Sequence, residues 1–117
     1  MATYNFQELT VWQRSMKLVE DVYGAVALLP KSELYALADQ IKRCAVSVPS
    51  NIAEGQKRLN RPETVQFSGI ALGSLAELQT QLILCKRLYK IDTDKLVDEC
   101  EQIARMLTAL IKALRSK

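Results

Sequence analysis

No histidine occurs anywhere in the 117 residues. That removes the side chain most often used to move protons near neutral pH and the commonest nitrogen ligand for a metal ion. The chain also lacks a glycine-rich phosphate loop and a nucleophile set beside a base, so the usual routes to catalysis have no residues to run on. The three cysteines, Cys44, Cys85 and Cys100, are odd in number, far apart, and form no C-x-x-C pair. This argues against a disulfide framework and a zinc site and leaves buried free thiols as the expectation. Four glycines and three prolines are too little turn material for a many-stranded sheet. No apolar run approaches the ~18 residues of a membrane span, and the first nine residues show no basic segment followed by an apolar one. A soluble, cytoplasmic protein with no membrane partner is therefore expected.

What is present is helix-forming. Leu, Ala, Gln, Glu, Lys and Arg dominate, 49% of residues are apolar, and the length suits one domain. Four periodic segments are predicted, at about 9–28, 33–56, 61–90 and 93–115. The first carries Leu9, Trp12, Met16, Val19, Tyr23 and Val26 at steps of three and four, the mark of one buried stripe. Pro30 stops it, and Ser32 is placed to cap a second helix with the stripe Leu34, Leu37, Ile41, Ala45, Val48 and Ile52. Asn60 can cap the third, with Pro62 in its first turn and Glu63 near the positive end of its dipole. Phe67, Ile70, Ala71, Leu75, Leu78, Leu82, Cys85 and Leu88 form its core face. The fourth carries Leu96, Cys100, Ile103, Leu107, Leu110 and Leu114. Long helices joined by short links pack as antiparallel neighbours, so the expected fold is all-α, a single-domain up-down-up-down four-helix bundle.

The stretch SVPSNIAEG, residues 47–55, breaks the pattern. Pro49 inside a helix removes one backbone hydrogen bond and pushes on the Ala45 carbonyl, which costs about 3 kcal/mol uncompensated, and a kink in the second helix is expected. Ser47, Asn51, Glu54 and Arg58 line one side of that helix, and Ser74, Glu77 and Gln81 form a similar row on the third. The two rows can meet as a hydrogen-bonded layer that fixes helix register or subunit pairing. The competing reading makes Glu54 and Glu77 an acid and base pair. A dimetal centre of the bundle type needs Glu-x-x-His pairs, which are absent, so no metal or other cofactor is expected.

The runs VWQRSMKLVEDVY, LPKSELYALADQIKRCAVSVPSNIAEGQKR and IALGSLAELQTQL resemble the four-helix bundle family first noticed as reading frames within intervening sequences of bacterial 23S ribosomal RNA genes. The likeness spans Phe6 to Leu110, and its signature is residues 47–55 with Arg58, Gly73, Ser74 and Glu77. It implies a left-handed up-and-down bundle, association into homo-oligomers, typically five-fold rings, and no enzymatic activity. Related proteins are accessory subunits of diversity-generating retroelements, partnering a reverse transcriptase and its RNA, so the resemblance puts nucleic acid first among partner classes.

Two surfaces agree with such a role. The topology gathers Lys57, Arg58, Arg61, Lys112, Arg115 and Lys117 at one pole, with Arg14 near it, whereas the other pole mixes Lys86, Arg87, Lys90 and Lys95 with Asp92, Asp94, Asp98 and Glu99. A ring repeating the basic pole would present a positive rim to phosphates; equally, these cations complement helix dipoles and keep the protein soluble. On the third helix, Gly69, Gly73 and Ala76 form a small-residue strip, and Leu72, Ile83 and Leu84 exceed what the bundle needs, which marks an oligomer interface. Trp12 and Tyr23 are expected as core or interface anchors, and Tyr4 and Phe6 as reaching a neighbouring subunit. The expected function is a non-enzymatic homo-oligomeric scaffold or accessory subunit that binds RNA, DNA or a nucleic-acid enzyme through its basic pole, with no small-molecule substrate. A purely structural oligomer and an enzyme using Glu54 and Glu77 are the alternatives.

Overall fold

The computed structural model describes residues 5–116. Its helices are α1 (Thr10–Val26), α2 (Leu37–Gln56), α3 (Arg61–Tyr89) and α4 (Asp94–Arg115), with single 3-10 turns at Phe6–Glu8 and Lys31–Glu33, and no strand occurs among the described residues. Each helix packs on its sequence neighbours and α4 closes on α1, so the four form one bundle of 50 × 20 × 20 Å whose tightest pairing is α2 with α3. The 29 residues of α3, rising ~1.5 Å each, set the long dimension.

Local chemistry fixes the ends of α3. Asn60 Oδ1 accepts from the Glu63 N–H at 2.9 Å, and the Asn60 amide donates back to Glu63 Oε2 at 3.3 Å. This reciprocal cap, with Pro62 in the first turn, satisfies donors that a helix start leaves open. At the far end Lys90 adopts φ 58°, and its N–H donates to the Lys86 carbonyl at 2.9 Å. A left-handed residue there turns the chain out of the helix. Buried Thr93 then donates from Oγ1 to the Leu82 carbonyl at 2.7 Å and ties the start of α4 to α3.

Between α1 and α2 the structure departs from the periodic reading. Ser32 caps nothing; it lies within the Lys31–Glu33 turn, and α2 begins only at Leu37. Glu33 serves this start instead, accepting from the Leu37 N–H at 3.4 Å and from the Tyr89 hydroxyl at the end of α3. Leu34 is consequently exposed. Ile70 and Leu88, which the periodicity puts on the core face of α3, are exposed as well.

The buried stripe of α1 is also rotated from the expected one. Val11, Ser15, Leu18, Val22 and Val26 are buried, while Trp12 and Val19 are half-buried and Met16 and Tyr23 exposed. Apolar residues occupy two adjacent faces of this helix, and the stripe with the larger side chains is the flank. Ser15 tolerates burial because its hydroxyl donates to the Val11 carbonyl at 2.7 Å, one turn back. On the flank Phe6 meets Trp12 edge to face with ring centroids 5.5 Å apart, and Lys42 of α2 lies 5.3 Å over the Tyr23 ring. Tyr4 lies outside the described residues.

The core itself is contiguous, with Ile41, Ala45, Val48 and Ile52 of α2 meeting Ala71, Leu75, Leu78 and Leu82 of α3 and Cys100, Ile103 and Leu107 of α4. α2 runs on through buried Pro49. Polar side chains brace the carbonyls on either side of Ala45: Ser47 donates to the Cys44 carbonyl at 2.7 Å, Ser50 to Val46 at 2.8 Å, and the Asn51 amide to Ser47 at 2.7 Å.

Candidate functional site

At one pole the end of α2, the start of α3 and the end of α4 converge. Arg61 and Arg115 line a common cleft of about 550 Å³ together with Pro62, Val65 and Leu114. Lys57 follows α2 directly and Lys112 lies in the last turn of α4, both exposed. Lys117 lies outside the described residues.

Two of the cations assigned to this pole are engaged elsewhere. Arg58 donates to Glu54 Oε1 at 2.7 Å, one turn back on α2, and its guanidinium lies 4.5 Å over the Phe67 ring. Arg14 is not at the pole. It forks onto Glu99 of α4, with Nη2 to Oε1 at 2.5 Å and Nε to Oε2 at 2.9 Å, and its Nη1 reaches the Met106 sulfur at 3.6 Å. Met106 lies nine residues, about 14 Å of helix, short of Arg115. An acidic partner on the facing helix, which a charge count along one chain cannot reveal, holds Arg14 to the side of the bundle.

The polar rows of α2 and α3 touch at one point. Ser47 Oγ and Ser74 Oγ stand 2.7 Å apart, and the Cys44 thiol donates to the Ser74 carbonyl at 3.0 Å. Glu77 lies beside the Cys44 thiol on the α3 side, in the same groove. Glu54 is ten residues further along α2 than Cys44, some 15 Å, and is held by Arg58. The two carboxylates suggested as an acid and base pair are therefore not brought together. Gln81 is buried, 7% exposed, and its Oε1 has no hydrogen-bond donor. Cys44, Gln40 and Arg43 share the groove with Ser47, Glu77 and Gln81; the sequence marks Cys44 only as a buried thiol and singles out neither Gln40 nor Arg43. Gln40, Cys44 and Ser47 follow at steps of four and three on the polar side of α2, a signal masked because cysteine scores as a core residue.

Burial pushes the Cys44 thiol up to about 12, with the neighbouring Glu77 carboxylate adding to it, and burial beside Glu99 pushes Cys100 up to about 12 as well. Burial, with Glu33 nearby, raises Cys85. Such thiols are poor nucleophiles. At pH 8 an aromatic disulfide reagent is expected to label no cysteine of the folded protein quickly and all three once urea unfolds it; rapid labelling of Cys44 or Cys100 in the native state would contradict their burial. Because the folded state holds these protons more tightly than the unfolded one, their contribution to stability is whole below pH ~8.5 and is lost as pH rises from there toward about 12.

The outer face of α3 is small and apolar. Gly69, Gly73 and Ala76 are exposed there, and a Cβ added at either glycine would meet nothing within 4 Å. Ile70, Ile83 and Leu84 are 44%, 40% and 38% exposed beside them. Leu72, assigned to the same surface, turns instead toward the bundle and packs on its core.

No helix among the described residues is long and apolar enough to cross a membrane, and no cluster of three or more Asp, Glu or Cys residues among them is arranged to hold a metal ion. Curated proteins contain no match to this chain. A family model described as 23S rRNA-intervening sequence protein matches residues 7–109, and these residues span all four helices except the last turns of α4; the chain belongs to that family.

Proposed function

We propose that this protein is a non-enzymatic helical scaffold that assembles with copies of itself and binds nucleic acid, or an enzyme working on nucleic acid such as a reverse transcriptase, through its basic pole. The observation that carries the reading is the cleft in which Arg61 and Arg115, from two different helices, face a common space. Lys57 and Lys112 extend that positive surface at the end of the bundle. A closed ring, which the resemblance puts at five copies, would repeat the patch around its axis and accumulate phosphate contacts that one protomer could not supply. The outer face of α3 is the surface for assembly, since two glycines inside a 29-residue helix cost helix stability without relieving any contact within the chain.

A salt titration of RNA and single-stranded DNA affinity tests the reading. Four phosphate contacts per protomer predict an affinity loss on the order of 100-fold between 50 and 200 mM salt. Replacing Lys57, Arg61, Lys112 and Arg115 by Gln together should remove most of that slope while the helical content stays intact. Equal affinity of native and variant protein, or binding indifferent to salt, would leave a purely structural oligomer. The native mass by ultracentrifugation is expected near five times 13.2 kDa.

A further inference from the structure

We propose that the groove between α2 and α3 lined by Cys44, Ser47, Glu77 and Gln81 receives a lysine or arginine side chain from a second copy of this chain. The groove has a volume of about 300 Å³. Two acceptors of α3 at this groove lack matching donors. Gln81 lines the groove and is more than nine-tenths buried, and its Oε1, shielded from solvent, has no donor. Glu77 has no Lys or Arg nitrogen within 4 Å among the described residues, although six other carboxylates of the chain do. The Cys44 proton is already directed at the Ser74 carbonyl, and Arg43 at the rim is held by Asp39 at 3.1 Å. An ammonium or guanidinium fits this set, because it carries several N–H donors and the charge that Glu77 lacks opposite it. A multivalent metal ion does not, since no three ligating side chains converge among the described residues.

The occupant follows from where the groove lies. Glu77 and Gln81 flank Ala76 and Thr80 on α3, so the groove borders the strip running from Gly69 to Ile83. This inference rests on the assignment of that strip to self-association. A copy laid along it would cover the groove and take Glu77 out of water, where an uncompensated carboxylate is costly. The same copy brings the remedy, since the chain carries 16 Lys and Arg against 13 Asp and Glu. Gln81 meets the incoming group by turning its terminal amide, a soft torsion that moves the oxygen toward the groove.

Sedimentation of the full chain and two variants over a concentration series tests this. Gln81→Leu removes the unpartnered carbonyl, and Glu77→Gln removes the charge at an exposed position. If the groove is filled by a neighbouring copy, both variants dissociate at least ~10-fold more readily, Gln81→Leu melts no lower than native under dissociating conditions, and the salt sensitivity of native assembly is lost in Glu77→Gln. An assembly constant within about twofold of native in either variant overturns the proposal while the oligomer itself stands. A native chain that sediments as a single protomer at micromolar concentration overturns both.

Discussion

Gly55→Ala is expected to destabilise the protein by about 2 kcal/mol, and Gly55→Val by more. Gly55 is buried where the end of α2 crosses the start of α3, and a Cβ there would stand 3.0 Å from Phe67 Cβ and 3.2 Å from the Thr64 carbonyl oxygen. Neither neighbour is the free end of a flexible side chain. The backbones cannot drift apart cheaply, because Thr64 donates from Oγ1 to the Gly55 carbonyl at 2.8 Å and only residues 57–60 link the two helices. Gly24 provides the control: in α1, with nothing within 4 Å of an added Cβ, its replacement by Ala should instead add up to ~1 kcal/mol of helix propensity. Urea or thermal melts of the two variants should thus move in opposite directions. A Gly55→Ala protein as stable as native would mean that the crossing is looser than these distances require.

The bundle was legible in the sequence because its core obeys a rule that needs no partner information. Ile41, Val48, Ile52, Leu75, Leu78, Leu82, Ile103 and Leu107 recur at helical spacing with polar residues between them, and all are buried. Periodicity was ambiguous where apolar residues cover two faces at once. In α1 the stripe through Trp12, Met16 and Tyr23 has the larger side chains, but the smaller residues Val11, Ser15, Leu18 and Val22 allow α1 to approach its neighbours, and packing distance chose them. Ser15 would be rejected as a core residue on hydropathy alone; its bond to the Val11 carbonyl makes burial acceptable. The start of α2 was misplaced for a related reason. A serine at a plausible cap position is a local signal, whereas Glu33 also joins the Tyr89 hydroxyl across the bundle, 56 residues away in sequence.

Sites were harder to read than helices, since a site depends on which residues face one another across elements. Ser47 and Ser74 could be paired from spacing in antiparallel helices, and they do meet. Glu54 and Glu77 share the same spacing logic, but the register of α2 against α3 sets Glu77 beside Cys44 and leaves Glu54 to Arg58. Charge counting placed Arg14 with the basic pole because it sits early in α1; α1 is shorter than α4, 17 residues against 22, so an early position in α1 faces the body of α4 and the Glu99 carboxylate.

The remaining question of assembly turns on a pair of positions where fold and interface make opposite demands. Nothing inside the chain occupies the space above Gly69 and Gly73, so replacing both by Leu should leave the protomer intact and raise its helix stability by up to ~2 kcal/mol in total. A helix of another copy packed against this strip needs the small side chains for close approach, and two isobutyl groups would hold it off by more than a packed interface tolerates. The double variant is therefore expected to melt at or above the native temperature under dissociating conditions, yet to lose assembly by more than ~100-fold, which corresponds to about 3 kcal/mol. Circular dichroism melts combined with sedimentation give both readouts on one sample. An oligomer of native mass and affinity would show that copies meet on another surface, and the α1 flank of exposed Met16 and Tyr23 beside half-buried Trp12 would be the next to alter.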